Sequence, residues 1–190
     1  MDLMLSKGAD IEEVDRQTAS YSKGYNVLYY LAIQPNTTNR ADGSYNKAIA
    51  KLMEKWLLDA GSCDPHKRSC ILAHHNGTHG TLLHLYARGR MPCAVDALIR
   101  GGADVNAITT VKPRRAPSLM QQTPLDAYIW EKELKNTYET PPEYDTYEEG
   151  EYIRAMDNAV LAALRGAGGK RLSELEAESH PADGLRRLQL

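Results

Sequence analysis

The feature that most constrains the fold of this chain is a two-helix unit that recurs along its sequence. The clearest copy opens with residues 80–89, Gly-Thr-Leu-Leu-His-Leu-Tyr-Ala-Arg-Gly, and continues with the apolar segment 94–100. It closes with residues 101–107, Gly-Gly-Ala-Asp-Val-Asn-Ala. Because Thr caps helix starts and Gly ends helices in the left-handed conformation, the pattern predicts two short helices with defined ends. Such a unit buries its apolar stripe only by stacking on a neighbour.

Less regular copies of this unit lie on both sides. A later copy opens with residues 122–127 and closes with residues 159–168, and an earlier copy opens with residues 26–32 and closes with residues 49–61. Residues 5–12 have the pattern of the end of a further unit. One apolar helical stripe is predicted in the earlier copy. Its members are Ile49, Leu52, Met53, Trp56, Leu57 and Ala60.

These units resemble the ankyrin repeat, through the Thr-Leu-Leu-His helix start at 81–84 and the Gly-Ala-Asp-Val-Asn-Ala loop at 102–107. The resemblance implies an all-α fold, a solenoid of about three helix–turn–helix units plus an N-terminal half repeat. We expect the array to span residues 1–170 and residues 171–190 to form a C-terminal capping segment with a capping-box pattern at 173–176. The expected units are 1–20 (partial), 21–66, 77–107 and 121–170. The partial unit is either a frayed end or the end of a unit that begins upstream.

The spacing of the units predicts insertions. The closing glycines at positions 8, 61, 102 and 168 are 53, 41 and 66 residues apart, whereas the ankyrin period is about 33 residues. The polar segment 34–45 is one insertion, and about two dozen extra residues lie in the last unit. Since Pro141 and Pro142 must interrupt a helix, we predict helices over about 123–138 and 147–165. An alternative for the last 66-residue interval is two units of 33 residues. However, no second helix-capping residue followed by a closing glycine is found within it.

Composition excludes some classes of function. The formal charge of −2 argues against a general nucleic-acid binder, and no apolar run approaches the roughly 20 residues of a membrane span. Three cysteines without a secretory leader indicate a reducing compartment. We therefore expect a cytoplasmic monomer without a cofactor, nucleic-acid partner or membrane partner; a secreted effector acting inside a host cell stays open. The 11 tyrosines and absence of Phe suit a thin core, since Tyr fills volume while its hydroxyl finds a polar neighbour.

The main candidate for chemistry is a cluster of cysteines and histidines whose residue types suit zinc. Its members are Cys63, His66, Cys70, His74, His75 and His79. Their spacing is not that of a standard zinc finger and coincides with a loop between units, so we assign no metal. No oxyanion site or orienting carboxylate accompanies Cys70 and His74, and we predict no enzymatic activity.

By the resemblance, His84 is a structural residue. Residues 166–170 lack the Ser or Thr of a phosphate loop and terminate a helix instead.

The resemblance also implies a concave face, made by finger loops and first helices, that grips a protein. The matching positions are the fingers at 108–122 and 68–79 and the first-helix residues Arg88 and Trp130. On the first finger, Lys112, Arg114 and Arg115 form either a solvated loop, a contact for an acidic partner or an import signal. The insertion 138–152 is either an exposed acidic loop or a contact for a basic partner. Its candidate contacts are Tyr138, Tyr144, Tyr147, Glu148 and Glu149.

We therefore expect a non-catalytic protein–protein interaction module of the adaptor or effector type. The alternative is an inhibitor or immunity-type protein that blocks one enzyme through its acidic, Tyr-rich insertion. A Cys/His metalloprotein or enzyme is the third class.

Overall fold

The computed structural model of this protein describes residues 28, 44–57, 72, 80–111, 116, 118–138 and 147–179. Within these ranges the chain is mostly helical, as expected, with one short pair of strands that an all-α fold does not include. In chain order the elements are α1 (Ser44–Leu57), α2 (Leu82–Arg88), α3 (Pro92–Arg100), β1 (Thr109–Val111), β2 (Met120–Gln122), α4 (Pro124–Tyr138), α5 (Tyr147–Gly166) and α6 (Leu172–Ser179). None of the described helices has the length and hydropathy of a membrane span.

The helices α4 and α5 begin and end within one residue of the predicted positions. At the start of α4, the Thr123 hydroxyl donates to Asp126 Oδ2 at 3.0 Å, and the Asp126 N–H donates back to Thr123 Oγ1 at 3.2 Å. The Thr123 N–H also donates to Asp126 Oδ2, at 3.3 Å, so two backbone donors at the helix start are satisfied. Pro124 follows at the first helical position, where its missing N–H costs nothing. Both signals are local, which is why the sequence predicts this helix accurately.

Two of the closing glycines end their helices in the same way. Gly102 and Gly168 have φ values of 93° and 82°, and the next residue bonds back into the helix in each case. The Ala103 N–H donates to the Leu98 carbonyl at 3.0 Å, and the Gly169 N–H donates to the Leu164 carbonyl at 2.8 Å. A Cβ atom on Gly102 or Gly168 would meet no neighbour, so these positions need glycine for its backbone conformation.

The helices pack in two layers. The first helices α2 and α4 contact each other, while α3 lies between α1 and α5 in the layer of second helices. Leu83 and Leu125 are the third residues of their unit starts, counted from Thr81 and Thr123, and Leu28 is the third from Asn26. All three are buried. Each contributes about 1.5–3 kcal/mol by leaving water, so the same position of each unit supports a shared core.

Two tyrosines at another shared position complete this core. Tyr86 and Tyr128 are each the sixth residue of a unit start, and both are fully buried. The Tyr86 hydroxyl donates to the Leu28 carbonyl at 2.8 Å, and the Tyr128 hydroxyl donates to the Asp157 carbonyl at 3.1 Å. Burial and the neighbouring Asp157 carboxylate raise the pKa of Tyr128 to about 12. The tyrosines thus fill core volume as predicted, with hydroxyls that bond to backbone carbonyls of neighbouring segments.

The expected capping segment contains the helix α6, but its cap differs from the predicted one. Glu174, not Glu176, accepts a hydrogen bond from the residue before the helix, the Arg171 N–H, at 2.5 Å. The helix therefore begins at Leu172, two residues before the position that a cap at Ser173 predicts, and Ser173 lies within it. No side chain of α6 is buried. Exposed ion pairs join Glu174 to Arg165 at the end of α5 (2.8 Å) and Glu178 to Lys170 in the connection before α6 (2.6 Å).

Candidate functional site

A short hairpin projects from the loop that follows α3. β1 and β2 pair antiparallel, with Thr109 opposite Gln122 and Thr110 opposite Gln121. Thr109 and Gln122 are buried, whereas Thr110 and Gln121 are exposed. Since side chains alternate between the faces of a strand, one face of the hairpin is turned toward the protein and the other toward solvent. We call this element the finger and define it as residues 108–122.

His84 fixes the base of the finger. Its Nδ1 lies 2.8 Å from Thr81 Oγ1, and its Nε2 lies 3.0 Å from the Gln122 carbonyl oxygen. Because a carbonyl only accepts, Nε2 carries the proton and Nδ1 accepts from the Thr81 hydroxyl. Thr109 Oγ1 is a second neighbour of Nε2, at 3.1 Å. These contacts are those of a buried structural residue, the role expected for His84.

The solvent face of the finger carries two large apolar side chains. Ile108 is 51% exposed and Leu119 is 63% exposed, and they are the only exposed large apolar residues among those whose side chains the structure describes. The alternation of the strands places Ile108 on the face of Thr110, and Leu119 on the face of Gln121. Ile108 precedes β1 and Leu119 precedes β2, so the two exposed side chains lie at opposite ends of the paired segment. Both lie within residues 108–122, which were predicted as a contact region, but neither was singled out there, since Ile-Thr-Thr-Val and Leu-Met-Gln-Gln do not alternate between apolar and polar residues.

The charged and aromatic contacts predicted from sequence fall largely outside what the structure describes. Lys112, Arg114, Arg115 and Tyr144 lie outside the described residues. The backbone of the other insertion candidates is placed: Tyr138 ends α4, and α5 begins with Tyr147, Glu148 and Glu149. The insertion 138–152 is therefore partly helical, and its role in binding stays a prediction.

Arg88 and Trp130 are not the exposed contacts that we expected. Both side chains are half-buried. They occupy the same position of successive units, the eighth residue from Thr81 and from Thr123, and the helices that carry them, α2 and α4, pack against each other. Burial lowers the pKa of the Arg88 guanidinium, and the nearby Glu131 carboxylate opposes this shift. The guanidinium stays charged at neutral pH. The two side chains offer a partner less surface than the sequence suggested.

The predicted Cys/His cluster lies wholly outside the described residues. Within the described part of the chain, no group of three or more His, Cys, Asp or Glu side chains is arranged to hold a metal ion. The thiol of Cys93 in α3 is half-buried and not in a disulfide.

A buried ion pair, which the sequence analysis missed, joins the turn after α2 to α5. Arg90 Nε lies 3.0 Å from Asp157 Oδ1, with side chains only 14% and 8% exposed. Arg90 has a φ of 55°, a left-handed conformation that costs a non-glycine residue about 1–2 kcal/mol. No local signal links two residues so far apart in sequence. The pair joins the unit at 77–107 to the last unit.

Asn106 joins two successive loops. Its Nδ2 donates to the Gly168 carbonyl at 3.2 Å, and its Oδ1 accepts from the Lys170 N–H at 2.8 Å. The Asn106 N–H itself donates to Asp104 Oδ1 at 2.9 Å. The amide therefore satisfies one donor and one acceptor of the neighbouring loop, and the connection after α5 runs beside the loop from which the finger arises.

Asp126 occupies in the last unit the position that His84 occupies in the unit before. Its Oδ2 accepts from the Leu172 N–H at 2.8 Å, and its Oδ1 accepts from Arg171 Nε at 3.0 Å. Burial pushes the pKa of Asp126 upward, but the hydrogen bonds from Leu172, Arg171 and Thr123 together bring it below its ordinary value. The carboxylate is therefore ionised at neutral pH and caps the start of α6.

Comparison with known proteins supports the repeat seen in this region. Residues 79–110 match the family model described as ankyrin repeat. This segment covers α2, α3, their loop and the start of the finger, so the resemblance drawn from the sequence is confirmed for this unit. The chain matches no curated protein and no solved structure.

Proposed function

We propose that this chain, which carries an ankyrin repeat over residues 79–110, is a non-catalytic module that grips a partner protein with its finger and the adjoining first helices. Ankyrin repeats generally mediate protein–protein interaction. The observation that carries the proposal is the exposure of Ile108 and Leu119 on one face of the finger. An exposed apolar side chain contributes little to the stability of the fold. When a partner covers it, its removal from water contributes to the free energy of binding.

The architecture proposed for the module is a solenoid of about three units plus an N-terminal half repeat. The two helix layers support it, as does the equivalence of Leu83 with Leu125 and of Tyr86 with Tyr128. In such an array the finger and the first helices share one side. The hydrogen bonds of His84 with the Gln122 carbonyl and of Asn106 with the Gly168 carbonyl support this arrangement.

We further propose an adaptor or effector that acts as a monomer in the cytoplasm and needs no cofactor, nucleic acid or membrane. The low, odd cysteine count supports a reducing compartment, and the charge of −2 supports a protein partner over a nucleic acid.

Affinity capture followed by titration tests the proposal. The full chain is compared with Ile108→Glu and Leu119→Glu, which place a charge on the solvent face of the finger, and with the matched control Asn158→Glu on the exposed side of α5. A captured partner is then purified and titrated by calorimetry. We expect both finger variants to lose binding and the control to retain it.

Two outcomes contradict the proposal. One is a chain that captures no protein. The other is a partner that still binds both finger variants but no longer binds a variant in which Glu143 and Asp145 of the insertion are replaced by Gln and Asn. That result supports the inhibitor alternative. Thermal unfolding of each variant checks that its fold is intact.

A further inference from the structure

The last helix, α6, is attached to the rest of the protein differently from the other described helices. Each of α1 to α5 packs against at least one other helix, whereas α6 packs extensively against none of the helices that the structure describes. None of its side chains is buried, and its leucines, Leu172 and Leu175, are half-buried. Because removal of apolar area from water is the main force that holds helices together, α6 gains less from it than the other helices do.

Charged side chains make the main described connections of α6. Three ion pairs contribute, and five of their six side chains are at least 37% exposed. The pairs join Arg171 to Asp126 (3.0 Å), Arg165 to Glu174 (2.8 Å) and Lys170 to Glu178 (2.6 Å). Exposed ion pairs each contribute little to stability, and added salt weakens them. The attachment of α6 is therefore weak and sensitive to its ionic surroundings.

The chain just before α6, in contrast, is held by uncharged groups. Asn106 binds the Gly168 carbonyl and the Lys170 N–H, and the Gly169 N–H donates to the Leu164 carbonyl at 2.8 Å. Gly169 is buried, and a Cβ atom there would lie 2.6 Å from the Leu164 carbonyl oxygen. Salt does not weaken such contacts as it weakens ion pairs. The boundary between the two kinds of attachment therefore lies between Lys170 and the start of α6.

A helix as short as α6 depends on its attachment to the units. It has eight residues, whereas isolated helices shorter than about 12–15 residues are marginal in water. Once Asp126 and Arg165 no longer hold it, its helical hydrogen bonds are expected to open as well. Detachment and unfolding of α6 are then one event, and hydrogen exchange reports both. The core formed by α2 to α5 stays intact in this event, since no side chain of α6 is buried.

We propose that α6 is a charge-held latch, which opens and closes while the repeat units stay folded. In the closed state the Leu172 N–H and Arg171 bind the Asp126 carboxylate, whose side chain is 15% exposed. Opening exposes this carboxylate and the start of α4. Salt, or a charged group that competes for these side chains, favours the open state. The latch thus controls access to the end of the last unit, whether or not the finger binds a partner.

Hydrogen exchange of the full chain, measured by mass spectrometry, tests the latch. At about 50 mM NaCl and after correction for intrinsic rates, we expect residues 175–179 to exchange at least about tenfold faster than residues 125–130 of α4, because local openings need less free energy than global unfolding. At about 500 mM NaCl the exchange of residues 175–179 rises at least about threefold, because screening weakens the ion pairs. The exchange of residues 125–130 changes less than about twofold.

A double-mutant cycle on the pair between α5 and α6 adds a second readout. Arg165→Gln and Glu174→Gln each remove the ion pair, and Gln at position 174 keeps an oxygen that can accept from the Arg171 N–H. We expect each variant to speed the exchange of residues 175–179 about threefold. The double variant is also about threefold faster, and not about ninefold, because both changes remove the same interaction. The matched control Arg100→Gln removes exposed ion pairs of α3 and leaves the exchange of α6 unchanged.

Three results overturn the proposal. If residues 175–179 exchange as slowly as residues 125–130, or speed up only together with them, α6 opens only when the whole protein unfolds. If they show no protection at any salt concentration, the closed latch is not populated. If salt has no effect, or if the effects of Arg165→Gln and Glu174→Gln multiply in the double variant, α6 is not held by charge.

Discussion

The carboxylate of Asp126 accepts a hydrogen bond from the backbone N–H of Leu172 at 2.8 Å. The equivalent residue of the preceding unit, His84, instead donates to the Gln122 carbonyl. The difference follows from what each side chain faces. The segment after the unit that contains His84 returns as a strand that presents a carbonyl, whereas the segment after the last unit starts a helix whose N–H groups need acceptors. The residue at this position is thus matched to the element that follows.

Removal of the Asp126 side chain tests this capping role. Asp126→Ala deletes the acceptor for the Leu172 N–H and the partner of Arg171, and we expect a loss of about 1–2 kcal/mol in the free energy of unfolding, with faster hydrogen exchange over residues 172–179. The control is Asp96→Ala, which removes an exposed ion pair with Arg100 and costs about 0–0.5 kcal/mol. Unchanged exchange in α6 would refute the capping role.

The pH dependence of stability provides a second test of Asp126. Its pKa is lowered in the folded protein, so its contribution is complete above the unfolded value of about 3.9 and is lost as the pH falls through the lower folded value. The isosteric Asp126→Asn variant does not titrate. We expect the difference in unfolding free energy between the two proteins to be constant from about pH 7 to 5 and to shrink below about pH 4. A difference that widens on acidification contradicts this assignment.

The donor role of His84 is tested by a pair of variants of similar size. His84→Gln keeps an amide N–H that can reach the Gln122 carbonyl, whereas His84→Glu places a buried acceptor against an acceptor. We expect both to destabilise the protein and the Glu variant to be worse by about 1–3 kcal/mol in urea unfolding at pH 7. Equal effects would show that volume, and not hydrogen-bond polarity, matters at this position.

The strained Arg90 gives a prediction in which two effects oppose each other. Arg90→Ala leaves Asp157 buried without its partner, which costs about 3 kcal/mol, and keeps the left-handed backbone. Arg90→Gly loses the same ion pair but relieves about 1 kcal/mol of backbone strain. We therefore expect the Gly variant to be the more stable of the two in urea unfolding. The reverse order would mean that the φ of 55° imposes no strain.

The accuracy of the sequence predictions depends on how local each signal is. The bounds of α4 and α5 and the left-handed Gly102 and Gly168 follow from caps, prolines and glycines within a few residues, and these were predicted. The contacts of Arg90 with Asp157 and of Asp126 with Leu172 were not, because they join residues 67 and 46 positions apart. Their pairing depends on how long insertions fold between them.

For the candidate site, too, some features could be predicted from the sequence and others could not. The sequence indicated the finger as a contact region, since the resemblance to the ankyrin repeat places it. It did not separate the exposed Ile108 and Leu119 from the buried Val111, and it overstated the exposure of Arg88 and Trp130. Exposure depends on whether a neighbouring segment covers a side chain. For Arg88 and Trp130, that depends on the packing of α2 against α4.

The most direct test of the account is a calorimetric titration of the captured partner into the full chain, its Leu119→Glu variant and the Asn158→Glu control. We predict one binding site. The dissociation constant of Leu119→Glu is at least about tenfold larger than that of the full chain, which corresponds to about 1.4 kcal/mol, and the constant of the control is unchanged. Equal affinities for all three folded proteins would show that the exposed face of the finger is not where the partner binds.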